Sequence, residues 1–380
     1  MRMALRFGAA LLGAALLLGG GAGGARACAI CLSAVSVTTG QKLDASDQVA
    51  LATSLSGGRQ FQLAKTIKGD VSLGSTVEAS ADRSQLPPPQ AGKLYLIARN
   101  GMSGRWTNYG LVKPESADWL REILKTNDGR AKAPRRAWPL ASPVQALPDN
   151  TNWSRRIGLI TPYLENGDPL VAEIAFGELS RAPYELLRGL KSGIDAGKVR
   201  RWINDPALEA RYDAYLLLLG VAGGPDDAAM LEQRLAAARS GQNASHVAAM
   251  LAADLELRGA ARMAWIEENY LLDHGRSLPE IEAALLALNV HGGTNGGAVA
   301  RQRVVDAYRR FIRERKPMAG FVATYLGDWK AWDAVPDYIE VLRSNAVADP
   351  AEQFAIVVYL KDSPRAEAQA AAAAFTAQSN

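Results

Sequence analysis

Asn204-Asp205-Pro206-Ala207-Leu208-Glu209-Ala210-Arg211-Tyr212-Asp213-Ala214-Tyr215-Leu216-Leu217-Leu218-Leu219-Gly220 reads as a helix with its own start and stop signals. Asp205 offers a side-chain acceptor at the N-cap, and Pro206 sits in the first turn, where a missing N–H costs nothing. Tyr212, Tyr215, Leu216 and Leu219 recur at three and four residues, the spacing of one helix face. Glycine and proline from 220 to 225 end the run, and 226–238 reads as a partner helix.

The same punctuation recurs on both sides of this stretch. Asp168-Pro169 and Asp349-Pro350 open further helical runs, while Asn243, Ser277-Leu278-Pro279 and Lys316-Pro317 stand at similar intervals between them. The interval is about 32 to 40 residues, the range of helical-pair repeats. Helices are expected over 207–219, 244–258, 262–271, 279–288, 299–313, 321–326, 335–342 and 354–360, with an alanine-rich last helix over 366–374. Before them, Leu170, Ile174, Phe176, Leu179 and Tyr184 form one face, interrupted at Pro183. The glycine-rich stretch 291–297 reads as a long turn. No single pair can cover its own apolar face, so neighbours must stack.

In period and in its Asp/Pro helix starts, this half resembles HEAT-like α-solenoid repeats. The resemblance implies a curved, superhelical scaffold that presents one face to a protein or peptide.

The N-terminal part follows a different rule. Short apolar or alternating segments at 48–53, 60–67, 75–79 and 93–98 are separated by Gly57-Gly58, Lys68-Gly69-Asp70, Gly74 and Pro87 to Pro89. A helix is expected over 116–124, with Trp119, Leu120 and Ile123 inward. Strands of this number and length suggest a small antiparallel barrel or sandwich. The stretch 101–110 reads as a polar, aromatic loop, with Trp106 and Tyr109 as candidate partner-contact residues or as closure for one barrel end. Cys28, the 47–52 segment and Thr66-Ile67-Lys68-Gly69 resemble netrin-type, OB-like and TIMP-like secreted modules. That resemblance implies a terminal Cys28 that could reach a protease's catalytic zinc, although the later stapling cysteines of such modules are missing.

Arg2 and Arg6, an apolar run over 7–18, a glycine-rich segment and Ala25-Arg26-Ala27 form the three parts of an export signal. The expected division is therefore a signal peptide 1–27, a β domain 28–127, a proline-rich linker 128–151 and a helical array 152–380. The apolar run is short for a membrane span, so no transmembrane span is expected in the mature chain. The expected location is periplasmic or secreted, with lipid anchoring at Cys28 as the alternative. Without Arg2, Arg6 and Arg26, 40 basic residues face 39 acidic ones. Apart from Arg130, Lys132, Arg135 and Arg136 in the linker there is no concentrated basic cluster, which argues against a nucleic-acid partner.

Cys28 and Cys31 are the only cysteines of the 380 residues. In an oxidising compartment they are expected to pair, pinning a tight turn and adding little stability across so short a loop. A redox dithiol or a metal contact remains open for them. The three histidines, His246, His274 and His291, lie at no metal-binding spacing, and no phosphate loop or nucleophile elbow occurs. Neither a catalytic residue nor a cofactor is indicated. The acidic neighbours Asp226-Asp227 and Glu267-Glu268 read as solvated surface, and Ser245 beside His246 as a helix start. Trp329 and Trp332, one turn apart, are the best candidates for a partner-binding groove on the array. The sequence favours an exported, non-catalytic interaction scaffold. A thiol redox or metal-contacting factor, or an inhibitor module acting through Cys28, are the alternatives.

Overall fold

The computed structural model describes residues 37–127, except Gln85 and Met102, and residues 151–378, except 294–296. The expected export signal, Cys28, Cys31 and almost all of the expected linker thus lie outside the described residues.

The first part is a five-stranded sheet with a short helix α1 (Thr39–Ala45) ahead of it. Its strands are β1 (Gln48–Ser54), β2 (Gln60–Lys68), β3 (Thr76–Ala81), β4 (Leu94–Arg99) and β5 (Trp106–Leu111). The pairing order β1-β2-β3-β5-β4 returns to β1, so every strand has two neighbours. The expected all-antiparallel arrangement is corrected: β3 and β5 run parallel. A ring with an odd number of strands cannot alternate direction all the way round, so one parallel pair is obligatory. β5 also replaces the loop expected over 101–110.

Inside the ring pack Ala50, Ala52, Phe61, Leu63, Ala79, Tyr95, Ile97 and Trp106. Phe61 meets Tyr95 edge-on at 5.6 Å. β1 is buried on both faces, because its alternate residues Val49 and Leu51 look outward into a second core beneath the helices. α2 (Ala117–Leu124) buries the three residues expected of it, Trp119, Leu120 and Ile123.

The second part is helical throughout. It runs α3 (Trp153–Ile160), α4 (Pro169–Arg181), α5 (Tyr184–Arg188), α6 (Ala196–Trp202), α7 (Tyr212–Ala222), α8 (Pro225–Ser240), α9 (Val247–Arg258) and α10 (Met263–Ile266). It continues with α11 (Leu278–Gly293), α12 (Arg301–Glu314), α13 (Ala323–Asp328), α14 (Val335–Ser344), α15 (Pro350–Asp362) and α16 (Ala366–Gln378). Asp168 and Asp349 cap α4 and α15 as expected. Asp205 caps a 3-10 segment, Pro206–Arg211, that leads into α7. α11 carries on through Gly293, so the turn expected from 291 begins later.

Contacts run between near neighbours: α7 on α9, α9 on α11, α11 on α12, α12 on α14, α14 on α16. α7 and α9 are buried almost all round, whereas α12 is buried on one side only, through Val304, Val305, Ala307, Tyr308, Phe311 and Ile312. Gly220 lets α7 approach α9 closely: a Cβ there would lie 2.7 Å from Ala253 Cα.

Arginine–carboxylate pairs tie the array together, most of them between different helices. Arg200 of α6 binds Asp227, Arg258 and Arg262 bind Asp254 and Glu232, Arg309 and Arg313 of α12 bind Asp337, and Arg365 binds Asp333. Arg303 and Arg310 reach Glu267. Two surface expectations are thereby corrected: Asp227 and Glu267 are buried, at 1% and 4% exposure. Each is held by an arginine from another helix, and burial of a paired charge is tolerated where an unpaired one is not.

The two parts are packed against each other. α1 lies on α4 and α2 on α3. Between them sits Arg156, fully buried, at 2.7 Å from Glu178 and 3.0 Å from Asp44. Asn127 bridges to Thr151, and Asn152 N–H donates to Thr126 O. The two ends of the proline-rich segment therefore meet side by side.

Candidate functional site: a groove where the sheet meets the helices

Asp168 builds the junction. Its Oδ1 accepts from Leu170 N at 3.1 Å and caps α4, and its Oδ2 accepts from Lys113 N at 2.8 Å and Ser116 Oγ at 3.0 Å. One carboxylate thus ties the exit of β5 to the start of the array. Above it opens a groove of about 540 Å³, lined by Leu86, Leu94, Tyr109, Leu111, Val112 and Leu170, with Lys93, Lys113 and Glu173 at its borders. Leu111 is 51% exposed there. Glu173 is engaged by Arg83 at 2.6 Å. Lys93 and Lys113 form no ion pair among the described residues. Burial pushes the Tyr109 phenol up to about 12, so it is a neutral wall at any physiological pH.

Two other grooves differ in kind. The larger, about 940 Å³, lies between α5, α7, α8 and α9. Most of its charges are committed to structural pairs: Arg188 with Glu256 at 2.7 Å, and Arg258 with Glu232 at 2.9 Å. The third, beside α1, holds Lys42, Arg99 and Arg105. There Lys42 is bound to Asp82 and Arg99 to Gln48.

Of the residues singled out in the sequence, Cys28 and Cys31 lie outside the described residues. Trp106 is 5% exposed inside the sheet ring, under the Arg99 guanidinium, and Tyr109 is 6% exposed. Trp106 offers a partner almost no surface, and Tyr109 only a patch of groove wall. Trp329 stacks on Tyr308 at 5.8 Å and covers Gly292, where a Cβ would meet its ring at 2.3 Å. Trp332 packs on Tyr359 at 5.1 Å. Both tryptophans are half-buried wedges between helices, and no ring contact joins them. Ser245 is exposed, while His246 holds the left-handed position before α9 and pairs through Nδ1 with Asp213 at 2.7 Å, which raises its pKa. His291 is buried, with Nε2 at 2.9 Å from Ala252 O.

Among the described residues no three His, Cys, Asp or Glu side chains come together as a metal site. No described helix is long and apolar enough to cross a membrane. The residues that make the junction groove, Lys93, Leu111 and Lys113, were not signalled in the sequence, because β5 and α4 are brought together only by the fold. No protein-family model, curated protein or solved structure matches the chain.

Proposed function

We propose that this chain is an exported, non-catalytic interaction scaffold of the bacterial cell envelope. In this reading residues 1–27 direct export and are removed, Cys28 and Cys31 pair, the sheet is an OB-like barrel, and the array is a HEAT-like superhelix. The ring order with its one parallel pair supports the OB-like assignment. Nearest-neighbour packing along the array supports the solenoid.

The observation that carries the reading is the contrast between grooves. In the other two grooves most charged groups already hold a partner, whereas the junction groove combines an exposed leucine with two lysines that form no ion pair among the described residues. Ligand pockets are commonly found where two structural units meet. The test is site-specific photo-crosslinking in cells that export the chain, with the crosslinker replacing Leu111 and, separately, Phe354 on the far helix α15. A discrete adduct from position 111 is expected. Absence of any adduct from either position, with the protein correctly exported, would sink the scaffold reading.

A further inference from the structure

The last helix pair of the array is apolar on its outer side. Contacts beneath it form two rows: α12 on α14 and α14 on α16, and beside them the 3-10 segment Lys316–Val322 and α13, both under α15. Glu352 and Tyr359 mark the side of α15 that faces this layer. Glu352 Oε2 accepts from Gly320 N at 3.2 Å, and Tyr359 packs on Tyr338 at 4.9 Å and donates to Ala331 O at 2.6 Å. At about 100° per residue, Phe354 and Lys361 stand on the opposite side, with Val358 beside them. Phe354 is 69% exposed and Val358 39%. On α16, Ala368 and Ala372 are buried, whereas Ala366, Ala370, Ala373 and Ala377, about half a turn round, are exposed. Glu367 is the one charged residue from Ala366 to Ala377. A stacked array needs a polar outer face on its terminal pair to stay soluble, and this pair presents the reverse.

We propose that two copies of this chain meet through the α15–α16 face about a two-fold axis, with Phe354 of each copy seated against the exposed alanines of the other's α16. The contact is independent of the scaffold reading and of the junction groove. Its occupant is set by three observations. The other end of the array is covered by the sheet part, since α1 lies on α4 and α2 on α3. The open end thus has only its own kind to continue onto, which closes a pair instead of growing a filament. The face is also self-complementary. A bulky ring on α15 and small side chains on α16 exchange places under a two-fold rotation. Lys361 and Glu367, both exposed and in no ion pair among the described residues, add opposite charges. The third observation is size. Two 13-residue helices side by side, each about 20 Å long and about 10 Å across, offer roughly 400 Å² in projection. Contacts burying less than about 600 Å² on each partner are typically the weak, reversible ones, so the dimer is reversible and not obligate.

The test is sedimentation velocity on the full chain from about 1 to about 200 μM, spanning the range of a weak dimer. A concentration-dependent shift from monomer to dimer is expected. Phe354→Glu and, separately, Ala373→Glu are each expected to weaken association at least tenfold, because a charge is then buried in the contact. Leu278→Ser, at an exposed leucine on α11, is expected to leave association unchanged. Thermal unfolding of these exposed-site variants at low concentration should match the parent. A photo-crosslinker in place of Phe354 is expected to give an adduct of twice the chain mass, mapped to residues 366–377. A monomer at every concentration overturns the proposal. So does a dimer indifferent to Phe354→Glu and Ala373→Glu, or one that Leu278→Ser disrupts as strongly. An adduct from position 354 only to another protein, or to residues 128–150 of the same chain, overturns it as well, by naming a different occupant. A self-adduct there speaks for the dimer alone, and the scaffold reading keeps its own test at position 111.

Discussion

Asp44 gives the sharpest test of how the two parts are joined. It sits on α1 facing Arg156 of α3, Glu178 and Arg181 of α4, and Lys68 of β2, whose Nζ donates to the Asp44 carbonyl at 2.6 Å. Burial raises its pKa from 3.8 to about 6, against the attraction of Arg156. For an acid whose folded pKa is raised, the stability contribution is fully present below the unfolded value and is lost as pH climbs through the folded one. With these two values the loss approaches ~3 kcal/mol in all, and about 2 kcal/mol of it falls between pH 4.5 and pH 7. Asp44→Asn removes the titration. Urea unfolding of parent and variant across that range should therefore show the variant gaining about 2 kcal/mol relative to the parent as pH rises. A difference that stays flat would mean that Arg156 keeps Asp44 ionised throughout, with its attraction outweighing burial. A difference of the opposite sign would refute the burial argument outright.

Three further outcomes follow from packing. Asp168→Ala loses the α4 cap and leaves the Lys113 and Ser116 donors unmet at a site 2% exposed. It should cost about 3 kcal/mol in urea unfolding. Gly220→Ala places a methyl against the Ala253 backbone and should destabilise by about 1 to 3 kcal/mol, read as a lowered Tm. Asp254→Ala leaves Arg262, 7% exposed, with Glu232 as its one remaining carboxylate and should cost about 3 kcal/mol, with Asp254→Asn recovering part of that in the same assay.

Helix existence was legible because the apolar period and the Asp-Pro starts survive in the local sequence. α12 is a plain case, with its apolar residues on one side and arginines on the other. β5 was hidden because both its faces are covered: Trp106 packs in the ring and Tyr109 in the core shared with the helices, so Trp106-Thr-Asn-Tyr-Gly-Leu111 shows no apolar–polar alternation. The buried acids were hidden for another reason. Arg303 meets Glu267 across 36 residues and Arg309 meets Asp337 across 28, so a local window sees only a charged residue. These separations are close to one repeat, and an acid with an arginine one period away would have been the signal. Gly193 to Gly197 reads as a polar turn from the sequence alone, yet Asp195 accepts from Lys198 N and starts α6 within it.

The groove and the stability of the joint are the same problem seen from two sides. One wall of the groove belongs to the sheet and the other to α4, so its width depends on whatever fixes α4 against β5. Asp168 does this through both carboxylate oxygens, and the Arg156 cluster does it from beneath. A ligand that fits a preformed groove spends less of its binding energy on ordering the site. Weakening the joint should then weaken partner capture at position 111 without touching any lining side chain. Glu178→Gln removes the buried partner of Arg156 and leaves Leu111, Lys93 and Lys113 unchanged, so loss of the position-111 adduct in that variant, at a pH where it is fully folded, would show that the junction sets capture. Unchanged crosslinking would make the groove lining sufficient by itself.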